Sequence, residues 1–456
     1  MTPDTLLKGA LLTLSLLAGS VQAAVTPQEA DSLGTSLTPL GAQKEGNADG
    51  SIPAWTGGLP KTVGAVDDKG FLADPFANEK PLFVITAKNA EQYRAKLTEG
   101  QMALFKRYPD TYRIPVYPTH RTASVPPAVM AAAKDSALHV SSINDGSGLS
   151  GFKPGSYYAF PLPKNGVEVV WNHFTRYLGG SFKRGFIQAT PQVDGAYTPV
   201  RFEEEQVYPS QVADLPAEDS GSLLYYYKQR VLEPARLAGT VALVHETIDQ
   251  VKDPRRAWVY NAGQRRVRRA PQLAYDGPGT ASDGQRTSDN LDMYNGAPDR
   301  YDWKLIGKKE LYIPYNSYRI ESPTLKYDDI IKAGHINPDH TRYELHRVWE
   351  VVATVKPDAR HVYAKRHFYI DEDTWQIAEV DHYDRQGQLW RVAEGHALYR
   401  YDQQTSYLAA ETLYDLISGR YMVIGLRNGE PRNTQYGFTA KAYDFTPAAL
   451  RTDGMR

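Results

Sequence analysis

The chain has no cysteine among its 456 residues. No disulfide framework is therefore available, no thiolate can assist a zinc site, and no acylated cysteine can serve as a lipoprotein anchor. Charge of one sign is also missing. Fifty-two basic residues stand against 53 acidic ones, for a formal net charge of −1, so nothing points to bulk attraction to nucleic acid. Beyond the first two dozen residues no segment approaches the ~18 consecutive apolar residues of a membrane helix. An outer-membrane barrel would usually close on an aromatic strand, whereas this sequence ends Asp453-Gly454-Met455-Arg456. There is no Gly-x-Ser-x-Gly nucleophile elbow and no phosphate-cradling loop. Asp371-Glu372-Asp373 and the acids Asp283, Asp289 and Asp292 lack the glycine and terminal glutamate of an EF-hand loop, and read as turn chemistry. His335, His340 and His346 match no zinc spacing. No catalytic residue, metal or cofactor is expected.

What is present begins with an export signal. Lys8 supplies a positive charge, Gly9 to Gly19 is a short small-and-apolar run, and Val21-Gln22-Ala23 offers small residues to a signal peptidase. The run is too short to span a bilayer, which takes ~20 residues. Cleavage after Ala23 and release into the periplasm are expected. Tyrosine is abundant, 31 residues against 13 phenylalanines; its apolar ring with a polar tip suits half-exposed strands and amphiphilic ligand surfaces.

Three regions follow: a cleavable signal over 1–23, a loop-and-helix region over 24–165 that caps the rest or meets a partner, and a sheet domain over 166–456. Thr26, Pro27 and Glu29 read as a capping box opening a short helix. Asn89 to Tyr108 and Pro127 to Lys134 read as further helices. From about Val167 the pattern turns to period two. Strands are expected over Val167–Asn172, Ser222–Val231, Leu237–Ile248, Ala257–Asn261, Gln264–Arg269, Glu310–Tyr318, Tyr343–Val355, His361–Ile370, Trp375–Tyr383 and Leu389–Ala393. Tight turns between them imply an antiparallel meander. Gly277 to Asp292, rich in Gly, Ser, Thr and Asp, interrupts the sheet as a long loop and is a candidate mobile entrance.

Arg256 to Arg269 is the best-defined hairpin. A turn at Ala262-Gly263 pairs Tyr260 with Arg265 and Trp258 with Val267, so Trp258, Tyr260, Arg265 and Val267 share one face. Aromatic rings beside guanidinium groups suit an anionic headgroup; ordinary cross-strand pairing on a solvated surface is the plainer alternative.

Several blocks then carry a resemblance. They are Asn47-Ala48-Asp49-Gly50-Ser51-Ile52-Pro53-Ala54-Trp55-Thr56-Gly57-Gly58, Tyr117-Pro118-Thr119-His120-Arg121-Thr122, Trp171-Asn172-His173, the hairpin above, Pro298-Asp299-Arg300-Tyr301-Asp302-Trp303-Lys304, Arg342 to Trp349, and Tyr369 to Trp375. Together they resemble the exported bacterial family catalogued as domain of unknown function 1329, which is similar to the lipoprotein carriers LolA and LolB. The resemblance implies an α+β, mainly β fold: a strongly curved antiparallel sheet, an incomplete LolA/LolB-like barrel plugged by helices, with an apolar cavity for acyl chains. It implies a place in an envelope transport route, with a resistance-nodulation-division type exporter and an outer-membrane protein as partners.

The expected function is a periplasmic, non-enzymatic carrier of a lipid or other hydrophobic ligand. The alternatives are an adaptor subunit of an envelope transporter and, third, an envelope carbohydrate-active enzyme. The ligand face is expected to carry Trp258, Tyr260, Val267, Leu345, Trp349, Val351 and Phe368, with Arg265 and Arg347 near the headgroup.

Overall fold

The structure, a computed structural model, describes residues 25–431 and 433–455; the signal expected over 1–23 lies outside them. Among the described residues sixteen strands join one sheet. The strands are β1 (Phe83–Thr86), β2 (Arg113–Val116), β3 (Ser141–Ile143), β4 (Gly148–Ser150), β5 (Phe182–Ala189), β6 (Val200–Val207), β7 (Leu223–Glu233), β8 (Val241–Thr247), β9 (Arg256–Asn261), β10 (Arg266–Arg269), β11 (Tyr301–Pro314), β12 (Tyr343–Val355), β13 (Lys365–Asp371), β14 (Ile377–Tyr383), β15 (Leu389–Arg400), β16 (Thr405–Asp415), β17 (Tyr421–Leu426) and β18 (Gln435–Tyr436). β3 and β4 pair apart from the sheet. The helices are α1 (Pro27–Ala30), α2 (Glu99–Arg107), α3 (Pro127–His139), α4 (Gly166–Phe174), α5 (Tyr327–Ile330) and α6 (Ala449–Met455).

Two antiparallel meanders, β12 to β17 and β5 to β10, are stitched together by the pair β17–β5. β11 lies along β12 over its whole length. From the N-terminal region β1 and β2 join beside the start of β12, where Tyr343 faces Val116.

The expected incomplete barrel is corrected here. The strand order is an open path from β1 to β10, and those end strands do not pair with each other; the sheet neither curls nor closes. Its two faces carry separate cores. On β17, Met422 and Ile424 belong to one core, Tyr421 and Val423 to the other; Phe186 and its neighbour Ile187 on β5 divide the same way. Side chains of a strand alternate between faces, so this is a layer covered on both sides rather than a wall around a lumen. Nor do helices plug one open side: Leu104 and Phe105 of α2 pack in one core, and Val169 and Val170 of α4 in the other. The two end strands of that path, β1 and β10, have four residues each, and Arg266, Arg268 and Arg269 on β10 are exposed, which disfavours pairing with another strand.

The Thr26–Glu29 capping box forms as expected. The helix expected over Asn89–Tyr108 breaks at Leu97, which is extended, and Thr98 opens α2 with a second capping box through Gln101. Val167–Asn172 is not a strand but lies in α4, capped by Asn165, whose side chain accepts from the Glu168 N–H at 3.0 Å. A helix buried on all sides has no polar stripe to reveal its period. β5, β6, β16 and β17 had no counterpart in the sequence reading. All six residues of β17 are buried, and burial on both faces erases alternation.

A glycine lets the N-terminal segment pack against the loop that precedes α4. Gly41 has φ +92°, and a β-carbon there would lie 1.9 Å from the Pro161 carbonyl oxygen. One residue away, the Leu40 carbonyl accepts from the buried Trp375 indole at 2.9 Å. Gly41→Ala is therefore expected to destabilise by at least ~2 kcal/mol, through positive-φ strain plus backbone collision. Gly50→Ala, with φ +76° and open space around it, should show only the strain, ~1 kcal/mol. Urea unfolding of the two variants checks the difference, and equal losses would refute the collision.

Candidate functional site

A cavity lies against one face of the sheet. Every second residue of four neighbouring strands points into it: Phe182, Arg184 and Phe186 on β5, Glu204 and Gln206 on β6, Tyr225, Tyr227 and Gln229 on β7, Ala242 and Val244 on β8. β16 and β17 contribute Tyr407, Leu408, Glu411 and Ile424, and Phe174, at the end of α4, adds a ring. The opposite wall is the loop after β10, through Leu273, Gly279, Thr280, Arg286, Ser288 and Leu291. The cavity's empty space, about 1380 Å³, includes volume open to solvent.

The loop that read as a candidate mobile entrance is this wall, and it is pinned. Asp289 is buried and receives Arg366 at 2.8 Å and His361 at 3.0 Å. Burial alone would raise the Asp289 carboxyl, but Arg366 and then His361 outweigh it and hold the group well below the usual carboxylate range. Asn290 bonds His382 at 3.2 Å, and His173 meets the Asp292 carbonyl at 2.9 Å. Asp292 and Met293 both take positive φ, 55° and 66°, a strained pair worth ~1–3 kcal/mol each. Their backbone N–H groups hydrogen-bond the Glu411 carboxyl.

The charges in the cavity are mostly matched. Arg184 meets Glu204 at 2.6 Å, and Tyr227 donates to the other oxygen of Glu204 at 2.6 Å. Arg176 meets Asp292 at 2.5 Å. Arg255 pairs with Glu246 and donates to the Asn295 side chain at 2.6 Å. Two groups are left over. Burial pushes the Glu411 carboxyl up to about 8, and desolvation lowers Arg286 from its ordinary value.

None of the nine residues expected to form the ligand face lines this cavity. The hairpin turns through four residues, Ala262 to Arg265, so Tyr260 faces Val267 and Trp258 faces Arg269; this corrects the expected pairing of Tyr260 with Arg265 and of Trp258 with Val267. Ala242 and Val244 line the cavity, and their cross-strand neighbours are Val259 and Ala257. Trp258, Tyr260 and Val267 therefore occupy the other face, in a cluster with Leu243, Phe445 and Leu450. Arg265 sits exposed in the turn with φ 51°. Leu345 borders a second, shallower hollow beside Phe83 and Tyr312. Arg347 is buried against Glu372 at 3.2 Å and the Glu45 carbonyl at 3.1 Å, tying down the N-terminal segment. Trp349 stacks on Trp375 at 5.9 Å, and Val351 and Phe368 are buried in the same core as α4. Sequence reading missed the cavity residues of β5 to β8; the loop composition and the run Tyr225-Tyr226-Tyr227 were the available signals.

One group could hold a metal among the described residues: His346, Asp371 and Asp373, whose ligand atoms lie within 4.8 Å of one another. Asp373 is already engaged by Arg121 at 2.7 and 2.9 Å, and one oxygen of Asp371 accepts from the Thr374 N–H and hydroxyl at 3.0 and 2.6 Å. The pattern is that of the turn chemistry read from the sequence. Among the described residues no helix is long and apolar enough to cross a membrane.

A mainly antiparallel sheet with a core on each face and an aromatic-lined cavity under a pinned loop defines the architecture. The chain belongs to the family described as "Protein of unknown function (DUF1329)", which it matches over residues 84–451. It is 61% identical over 455 residues to the uncharacterized protein PA3922 of Pseudomonas aeruginosa, covering 100% of both chains. Among solved structures it is similar to a domain named for outer-membrane lipoprotein sorting from Vibrio parahaemolyticus, at 12% identity and TM-score 0.43 over 63% of this chain and 98% of that one. A DUF1329 family protein from Desulfovibrio piger matches at 14% identity and TM-score 0.43, over 62% and 96%. A LolA superfamily protein from Nitrosomonas europaea matches at 13% identity and TM-score 0.37, over 62% and 98%.

Proposed function

We propose that the protein is a periplasmic, non-enzymatic carrier that holds a hydrophobic or amphiphilic molecule in the cavity between β5–β8 and the loop 273–295. The observation that carries this reading is the lining itself. Phenylalanine, leucine and tyrosine rings and chains surround the space, and most of its charged groups are neutralised by one another. Such a surface favours apolar chains and needs only a few polar groups to orient them. The signal-like N-terminus supports export.

Native mass spectrometry of the mature protein, followed by organic extraction, is expected to yield a stoichiometric lipid-like molecule. Val244→Trp checks the site. Val244 is half-buried and lines the cavity, so an indole there can fill ligand space without displacing core atoms. It should weaken binding of a fluorescent fatty-acid probe by at least ~10-fold, equivalent to ~1.4 kcal/mol. An empty wild-type protein that also refuses a panel of fluorescent lipids would overturn the carrier reading.

A further inference from the structure

We propose that the cavity takes an amphiphile with an anionic headgroup, a carboxylate or a phosphate, and that Arg286 is the residue that binds it. The inference rests on the carrier reading above and deepens it. Four arginines line the cavity. Three of them each have a carboxylate within ion-pair distance: Arg176 with Asp292, Arg184 with Glu204, Arg255 with Glu246. Arg286 has none. It is 4% exposed, its Nε has no hydrogen-bond partner, and its Nη2 reaches only the Gln188 side-chain oxygen, at 3.4 Å.

A buried guanidinium without a counter-charge is costly, and folding ordinarily supplies a partner. The neighbouring acids are committed elsewhere or carry little charge. Asp289 is held by Arg366 and His361, and Glu204 by Arg184. Glu411 lies beyond ion-pair distance, and burial favours its neutral form near neutral pH. The loop also makes room for the group. A β-carbon at Gly279 would stand 3.0 Å from the Arg286 Cζ, tighter than ordinary contact, so a glycine there spares the guanidinium that crowding. A planar fork of donors facing an apolar chamber is the arrangement that pairs with carboxylate or phosphate oxygens while the attached chain lies on the rings.

The test compares probes that share one sixteen-carbon chain: palmitate, hexadecyl phosphate, hexadecanol and hexadecyltrimethylammonium, titrated into delipidated wild-type protein at pH 7. The anionic probes are expected to bind about 10-fold or more tightly than hexadecanol, and the cationic probe least. The ratio of palmitate to hexadecyl phosphate tells which anion the site prefers. Arg286→Gln is expected to erase the preference, bringing the anionic probes to the affinity of hexadecanol, with a thermal melt reporting that the variant is folded. Equal binding of the anionic and neutral probes by wild type would overturn the Arg286 assignment and leave the carrier reading standing. So would an anion preference that survives in Arg286→Gln. Failure of every probe to bind would instead count against the carrier reading. The wild-type series decides the headgroup question even if the variant fails to fold.

Discussion

Asp289→Ala is expected to lower stability by about 3–5 kcal/mol, because it strands a buried arginine without its counter-ion. Arg366 is fully buried, and its Nε and Nη1 have no partner. The rings of Tyr294, Tyr301 and Tyr363 surround it, at 5.0, 5.3 and 5.0 Å. Among the described residues Asp289 is thus its one anionic contact within ion-pair distance, and the loop carrying Asp289 forms the cavity wall. The variant should therefore do two things at once. Urea unfolding should show the loss of stability, and hydrogen exchange over residues 277–292 should accelerate relative to the strands. Adding Arg366→Met should restore part of the loss, since an apolar side chain in place of an unpaired charge removes the penalty. A loss below ~1 kcal/mol, or unchanged exchange in the loop, would show that the ion pair is not what holds the wall in place. The same pair sets an acid limit. A carboxyl depressed in the folded state contributes stability that is present above its unfolded value, ~3.9, and lost as pH falls below it.

Glu394→Gln is expected to be increasingly stabilising relative to wild type as pH rises from about 4.5 to about 7. Glu394 faces Glu379 directly across β14 and β15. One of its oxygens accepts from the hydroxyls of Tyr112 at 3.0 Å and Tyr343 at 2.9 Å, and the other has no partner. Burial pushes its carboxyl up to about 7; burial and then the charge of Glu394 push Glu379 up as well. A folded-state value above the unfolded one means that the folded form binds the proton more tightly. Stability is then highest below ~4.5 and declines as pH rises through the window to about 7. Glutamine keeps the acceptor, carries no charge, and should gain about 2–3 kcal/mol over wild type across that window. A difference between variant and wild type that stays flat from pH 4.5 to 8 would refute this account. Wild type alone gives a less direct slope below pH 6.5. Burial lowers His173 and His396 to about 3, so below ~6.5 their unfolded forms take up protons and offset the carboxyls. Above that point the carboxyls act unopposed: Asp371 and Asp381 are pushed up to about 7 and Glu411 to about 8. Wild-type stability should fall between pH 6.5 and 8.

Local chemistry was legible wherever it depends on a few neighbours. The Thr26 capping box, the start of α3 at Pro127 and both ends of β12 follow from spacing alone. β12 could be read because the regular alternation along Tyr343–Val355 matches the two-residue repeat of a strand. The hairpin at 256–269 was legible as an element but not in register. Arg265 takes a positive φ that a two-residue turn at Ala262-Gly263 does not anticipate, and the added loop residues shift every pair. α4 and β17 were hidden for one reason: an element buried on all sides has no polar face to show its period.

The sequence by itself determined the family, the antiparallel meander, the absence of thiol chemistry and the existence of the long Gly/Ser/Asp loop. Only the tertiary structure decided that the sheet stays open with a core on each face, because closure depends on whether two distant edge strands meet. It alone decided where the cavity lies. Phe186, Tyr227, Val244 and Leu291 are far apart in the chain and converge only when β5 to β8 pair and Asp289 draws the loop onto them. The isolation of Arg286 is of the same kind. Whether a charge has a partner depends on which side chains arrive within ~4 Å of it, and that is set by packing rather than by any pattern along the chain.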